Sequence, residues 1–124
     1  MNWLENHLKT RRENWPYEGR YRLEQFKESG FVAKVDDEVA GFIWSEDITP
    51  KEARIKMNLK AKYAEYAIGT ELLETLVTQL KTNGYCRIYY TIIPEHYAYQ
   101  IYRHLGFAVT HQDEERIDFI WEKA

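Results

Sequence analysis

Apolar and polar residues alternate through Ala53-Arg54-Ile55-Lys56-Met57-Asn58-Leu59-Lys60, the period of a half-buried strand. Soon afterwards Glu71-Leu72-Leu73-Glu74-Thr75-Leu76-Val77-Thr78-Gln79-Leu80 carries its leucines and Val77 at helical spacing, and Asn83-Gly84 supplies a stop. Between the two lies Lys60 to Thr70, a short strand-to-helix turn with small residues at Ala64, Ala67 and Gly69. Such a turn leaves the first backbone N–H groups of the helix pointing outward beside the positive end of its dipole. Small side chains let a phosphate approach that backbone, so the stretch reads either as an anion cradle or as a tight packing turn.

The same patterning predicts the other elements. Trp3, Leu4, His7, Leu8 and Arg11 recur as on an amphipathic helix over residues 2–13, which Trp15-Pro16-Tyr17-Glu18-Gly19 breaks. A second helix is expected from Arg20 to Glu28, with Leu23 and Phe26 on one side and Ser29-Gly30 at its end. Phe31 to Val35 and Val39 to Ser45 are β-rich runs joined by the acidic turn Asp36-Asp37-Glu38, an antiparallel hairpin. Glu46 to Pro50 turns into the alternating strand, making a three-strand meander. Beyond the long helix, Cys86 to Ile93 forms a strand, Tyr97 to Leu105 a helix ending at Gly106, and Phe107 to Thr110 and Arg116 to Trp121 the last two strands. Strand, helix and strand in succession predict one parallel pair with a right-handed crossover. The order α-α-β-β-β-α-β-α-β-β describes an α/β domain with a mixed, mainly antiparallel sheet, and the turn at 60–70 lies at its one parallel unit, where such sheets bind ligands.

Composition narrows this little. A chain of 124 residues is expected to form one domain spanning 1–124. No apolar run approaches the roughly 18–20 residues needed to span a bilayer, and the start lacks the basic-then-apolar order of a signal peptide. One cysteine, Cys86, excludes an internal disulfide and a cysteine zinc site, so no metal and a reduced, cytoplasmic setting are expected. The net charge of −3 gives no reason to expect nucleic acid. Locally, Lys51, Arg54, Lys56, Lys60 and Lys62 face one acid, Glu52, a positive field beside the turn.

From Leu23 onward the motifs resemble the GNAT superfamily of acetyl-CoA-dependent N-acyltransferases. Phe31-Val32-Ala33-Lys34 with Gly41-Phe42-Ile43 is similar to that family's second and third strands, and Leu59 through Leu73 to its fourth strand, pyrophosphate loop and third helix. Tyr102-Arg103-His104-Leu105-Gly106-Phe107 is similar to its helix-ending Tyr-x-x-Leu-Gly-Phe signature, and Asp118 to Lys123 fits its last strand. The loop pattern Gln/Arg-x-x-Gly-x-Gly/Ala falls on Ala64, Glu65, Tyr66, Ala67, Ile68 and Gly69, where only Gly69 keeps the type and Glu65 sets a carboxylate near a pyrophosphate. The family's first strand has no counterpart in the pattern; a sheet edge left open by its loss predicts a homodimer that supplies it.

The resemblance implies acetyl-CoA as cosubstrate and acetyl transfer to a small-molecule or peptide amine. It places the cofactor arm along Met57, Asn58 and Leu59, pairing as an added strand would, and its phosphates at Ala64 to Thr70. Arg54, Lys56, Lys60 and Lys62 would attract those phosphates. Tyr102 matches the tyrosine that protonates the leaving thiolate. The base is expected at Glu52, with Glu46 and Asp47 as alternatives. The family's cofactor-contacting Asn falls on Glu95 by count, or on His96 when aligned at Pro94. The degenerate loop also leaves open a non-catalytic acyl-CoA-binding or protein-interaction module.

Overall fold

Seven strands in one sheet run in the order β1-β2-β3-β4-β5-β7-β6. They are β1 Tyr21–Lys27, β2 Gly30–Val35, β3 Glu38–Thr49, β4 Glu52–Leu59, β5 Arg87–Ile92, β6 Ala108–Gln112 and β7 Ile117–Glu122. A 3-10 turn, Ala61–Tyr63, and one helix, α1 Ile68–Thr82, complete the described elements. The computed structural model describes residues 21–63, 68–92 and 105–123. The helices expected over 2–13 and 97–105 therefore lie outside the described residues, apart from Leu105 itself. All neighbouring strands are antiparallel except β4 and β5, so the mixed sheet with a single parallel crossover is observed.

One expectation is overturned. Arg20 to Glu28 is not a helix: Tyr21–Lys27 pairs with β2 from Tyr21↔Val35 to Lys27↔Gly30. Leu23 and Phe26, three apart, mimic helical spacing because a bulge between Gln25 and Lys27 interrupts the strand's period of two. Phe26 then lies over Gly30, where an added Cβ would stand 2.7 Å from its ring. Ser29-Gly30 serves a hairpin and not a helix end. With this strand on the sheet edge, the argument for a second copy supplying a missing strand falls away.

Alternation decides which side chains meet α1. Ala33, Ile43, Ala53, Ile55, Ile88 and Phe119 are buried on one sheet face, beneath Leu72, Leu73, Leu76, Val77 and Leu80 of the helix. Each large aliphatic so removed from water contributes about 1.5–3 kcal/mol before entropy is set against it. The helix ends at Gly84, whose φ is +88°. There the N–H of Tyr85 donates to the carbonyl of Leu80 and that of Gly84 to Lys81, the paired bonds of a glycine C-cap. The Asn83-Gly84 stop is thus observed. Among the described residues no helix is long and apolar enough to cross a membrane, and no group of three His, Cys, Asp or Glu could hold a metal ion.

Tyr85 then clamps the sheet: its hydroxyl donates to Asp47 Oδ1 at 2.5 Å. That bond, with partial burial and the neighbouring carboxylates, pushes the phenol up to about 12. The protonated phenol is the stabilising form, so its contribution is full below the ordinary tyrosine value of about 10 and is lost as pH rises through about 12. Ultraviolet titration of the folded protein is expected to show a late ionisation step near pH 12, and Tyr85→Phe to remove that step.

Candidate active site between the splayed strands

β4 and β5 hold together at only three positions, Glu52↔Arg87, Ala53↔Ile88 and Arg54↔Tyr89. Beyond them each strand keeps its outer partner. Ile55 to Leu59 continue along β3, as Ser45↔Ile55 through Gly41↔Leu59, and Tyr90 to Ile92 continue along β7. The strands diverge because each follows the twist of its own half-sheet. Five residues of β4 are left with an inner edge that no described strand covers, about 16 Å of backbone at roughly 3.3 Å per residue.

A cavity of about 540 Å³ opens in this gap, lined by residues that include Met57, Arg54, Lys56, Tyr89, Arg116 and Asp118. Met57 and Leu59 lie on the α1 face, where a Cβ on Gly69 would meet Leu59 at 3.3 Å and Met57 at 3.9 Å. The start of α1 is therefore seated against the far end of the open edge, and glycine at 69 is what lets it come so close. Asn58 is exposed on the opposite face, while Ile68 and Thr70 are buried at the start of α1.

Glu52 stands at the closed end of the gap. It accepts from Arg87 Nη1 at 3.3 Å, from the Tyr89 hydroxyl at 3.4 Å and from Thr49 Oγ1 at 3.1 Å. Of the alternatives, Asp47 is held by Tyr85, and Glu46 lies beside Trp44 Nε1 at 3.5 Å. Ala64, Glu65, Tyr66, Ala67, Glu95, His96 and Tyr102 lie outside the described residues. Their neighbour Gly106 does not: its φ is +94°, and a Cβ there would meet Trp121 at 3.1 Å. The carbonyl of Leu105 accepts from Lys81 Nζ at 3.2 Å, and that ammonium lies 4.6 Å from the Trp121 ring centroid. Burial lowers the lysine's pKa.

The positive field predicted around the turn is divided by the fold. Lys60 pairs with Glu38 at 3.1 Å. Arg54 and Lys56 lie on the face away from α1, toward the closed end, and so are not aimed at the helix start. Sequence reasoning missed Asp118 as a cavity residue. It receives the Thr91 hydroxyl at 2.7 Å and pairs with Arg116 Nε at 3.2 Å. Its place as a polar position between the buried Ile117 and Phe119 was the available signal.

A gap between parallel neighbours, an uncovered strand edge and a glycine-seated helix start form one constellation, and comparison with known proteins gives it a family. The sequence profile described as Acetyltransferase (GNAT) family matches residues 1–107. The chain belongs to the GNAT family. Its fold is shared by the PaiA N-acetyltransferase of Thermoplasma acidophilum, solved with coenzyme A, at TM-score 0.62 and 22% identity over 76% of this chain and 60% of that one. A putative acetyltransferase of Salmonella typhimurium, YncA, solved with its cofactor acetyl-CoA, gives 0.64 and 15% over 75% and 63%. The ribosomal-protein-S18-alanine N-acetyltransferase of Escherichia coli gives 0.63 and 20% over 92% and 75%. The GNAT chain thus spans about three-fifths of the length of the first two. No curated protein matches it.

Proposed function

We propose that this GNAT domain binds acetyl-CoA in the β4–β5 gap and transfers its acetyl group to an amine. The observation that carries the reading is the uncovered edge of Ile55 to Leu59 with Gly69 packed against Leu59 at its end. The edge fits an extended arm bearing amide groups, which would pair with β4 backbone as an added strand does. Met57, Asn58 and Leu59 would hold that arm, and Ala64 to Thr70 the phosphates, through backbone N–H groups at the start of α1. When bound, acetyl-CoA supplies an activated acyl carbon to the amine. Glu52, held by Arg87 and Tyr89, is the proposed acceptor of the amine's proton, and Tyr102 the proposed donor to the departing sulfur. Glu95 is the proposed contact to the cofactor arm from the segment after β5.

Calorimetry with acetyl-CoA is expected to give saturable binding, and an amine panel is expected to release CoA. Absence of heat together with no thermal shift at millimolar acetyl-CoA would overturn the reading. Ala64, Glu65 and Ala67 favour one alternative, a non-catalytic acyl-CoA-binding module. Binding without CoA release from any amine would select it.

A further inference from the structure

The cavity has two sides of different chemistry. Met57, Tyr90 and Phe119 belong to the α1 side, whereas Arg54, Lys56, Tyr89, Arg116 and Asp118 line the opposite one. Three cations and one carboxylate share that outer side. The carboxylate is engaged: Asp118 holds Thr91 and Arg116, and its backbone carbonyl accepts from Thr110 Oγ1 at 3.3 Å. Glu52, the next acid along, is taken by Arg87. Glu46 stands opposite Arg54 in the β3–β4 register, yet among the described residues neither Arg54 nor Lys56 has an ion-pair partner. Two residues apart on one strand, they project from one face from Cα positions roughly 7 Å apart.

Resting on the proposed acetyl transfer, we infer that the acceptor amine carries an anionic group, a carboxylate or a phosphate, which Arg54 and Lys56 hold. An arm lying along the edge from the α1 end leaves the outer side to the second substrate. There a guanidinium fork offers two parallel donors to an oxyanion, and the ammonium adds a second charge. The pair binds the acceptor's anion and leaves its amine to reach toward the end of the β4–β5 pairing. A purely cationic acceptor such as a polyamine would meet repulsion there.

Binding of acetylated products tests this without requiring turnover. By calorimetry, N-acetyltyrosine is set against N-acetyltyramine, and N-acetylphosphoethanolamine against N-acetylethanolamine. At least one anionic member is expected to bind tenfold or more tightly than its neutral partner, and the pair that shows the gap identifies the anion. The double variant Arg54→Gln/Lys56→Gln is expected to abolish the gap while its thermal midpoint and its acetyl-CoA affinity stay unchanged. Equal affinities within both pairs, no binding of any probe, or a gap that survives the double variant would overturn the inference. A gap in a protein that fails to bind acetyl-CoA would instead sink the transferase reading and leave the anion site standing.

Discussion

Tyr102→Phe is expected to lower kcat by about 10²–10⁴-fold, the range lost when a positioned general acid is removed. The phenol differs from phenylalanine by one hydroxyl, so the loss isolates proton donation from packing. If the hydroxyl protonates the departing sulfur, acetyl-CoA affinity should stay within twofold of the parent and the alkaline limb of the pH–rate profile should disappear. The signature that carries Tyr102 runs on through Leu105 and Gly106 to Phe107, and Leu105 and Gly106 are anchored. Leu105 is bonded by Lys81, and Gly106 sits at positive φ with Trp121 in the way of any side chain. Full activity in Tyr102→Phe would assign the proton to water or another group.

Gly41→Ala is expected to destabilise the fold by about 1–3 kcal/mol, as overpacking does, and to weaken acetyl-CoA binding at least tenfold. An added Cβ would stand 2.6 Å from Leu59 Cδ1 and 2.9 Å from the backbone carbonyl of Asn58. A leucine side chain turns aside, but a strand carbonyl moves only by moving the strand, and this strand carries the open edge. The double variant Gly41→Ala/Leu59→Ala relieves the first contact and leaves the second. Its binding should therefore remain poor, whatever stability it recovers. Denaturant titration and calorimetry on both variants separate the two terms; normal acetyl-CoA binding in Gly41→Ala would show that the edge of Asn58 and Leu59 is not used.

The central strand and helix were legible because period and punctuation agreed. Ala53 to Lys60 alternates, Leu72 to Leu80 repeats helically, and Gly84 closes the helix. The first strand was not, because a bulge set Leu23 and Phe26 three apart and imitated a helix face. Tyr21-Arg22-Leu23-Glu24 still carries the period of two, four residues before the bulge erases it. The site was legible in part. Alternation put Arg54 and Lys56 on one face, but the packing of Ala53 and Ile55 in the core with the α1 leucines shows that this face is the one away from α1. The cavity position of Asp118 depends on β7 lying between β5 and β6, a neighbour relation that no local pattern contains.

The three-position seam between β4 and β5 also bears on how the chain comes together. β1 to β4 pair through short hairpins, whereas Glu52 and Arg87 are 35 positions apart. The loop entropy of that closure falls on a handful of backbone bonds, among them Cys86 N–H to the Lys51 carbonyl at 2.8 Å, supported by α1. The β1–β4 meander closes through hairpins alone, whereas the seam and the β5–β7 pairing, Arg87 with Glu122, both need long closures. Local opening of the native protein should follow the same line, so amide protons of Ala53 and Ile88 would exchange before those of Ile43 or Phe119. The proposed acetyl-CoA would lie across this three-position seam, and a molecule bound there would tie the two halves into one cooperative unit.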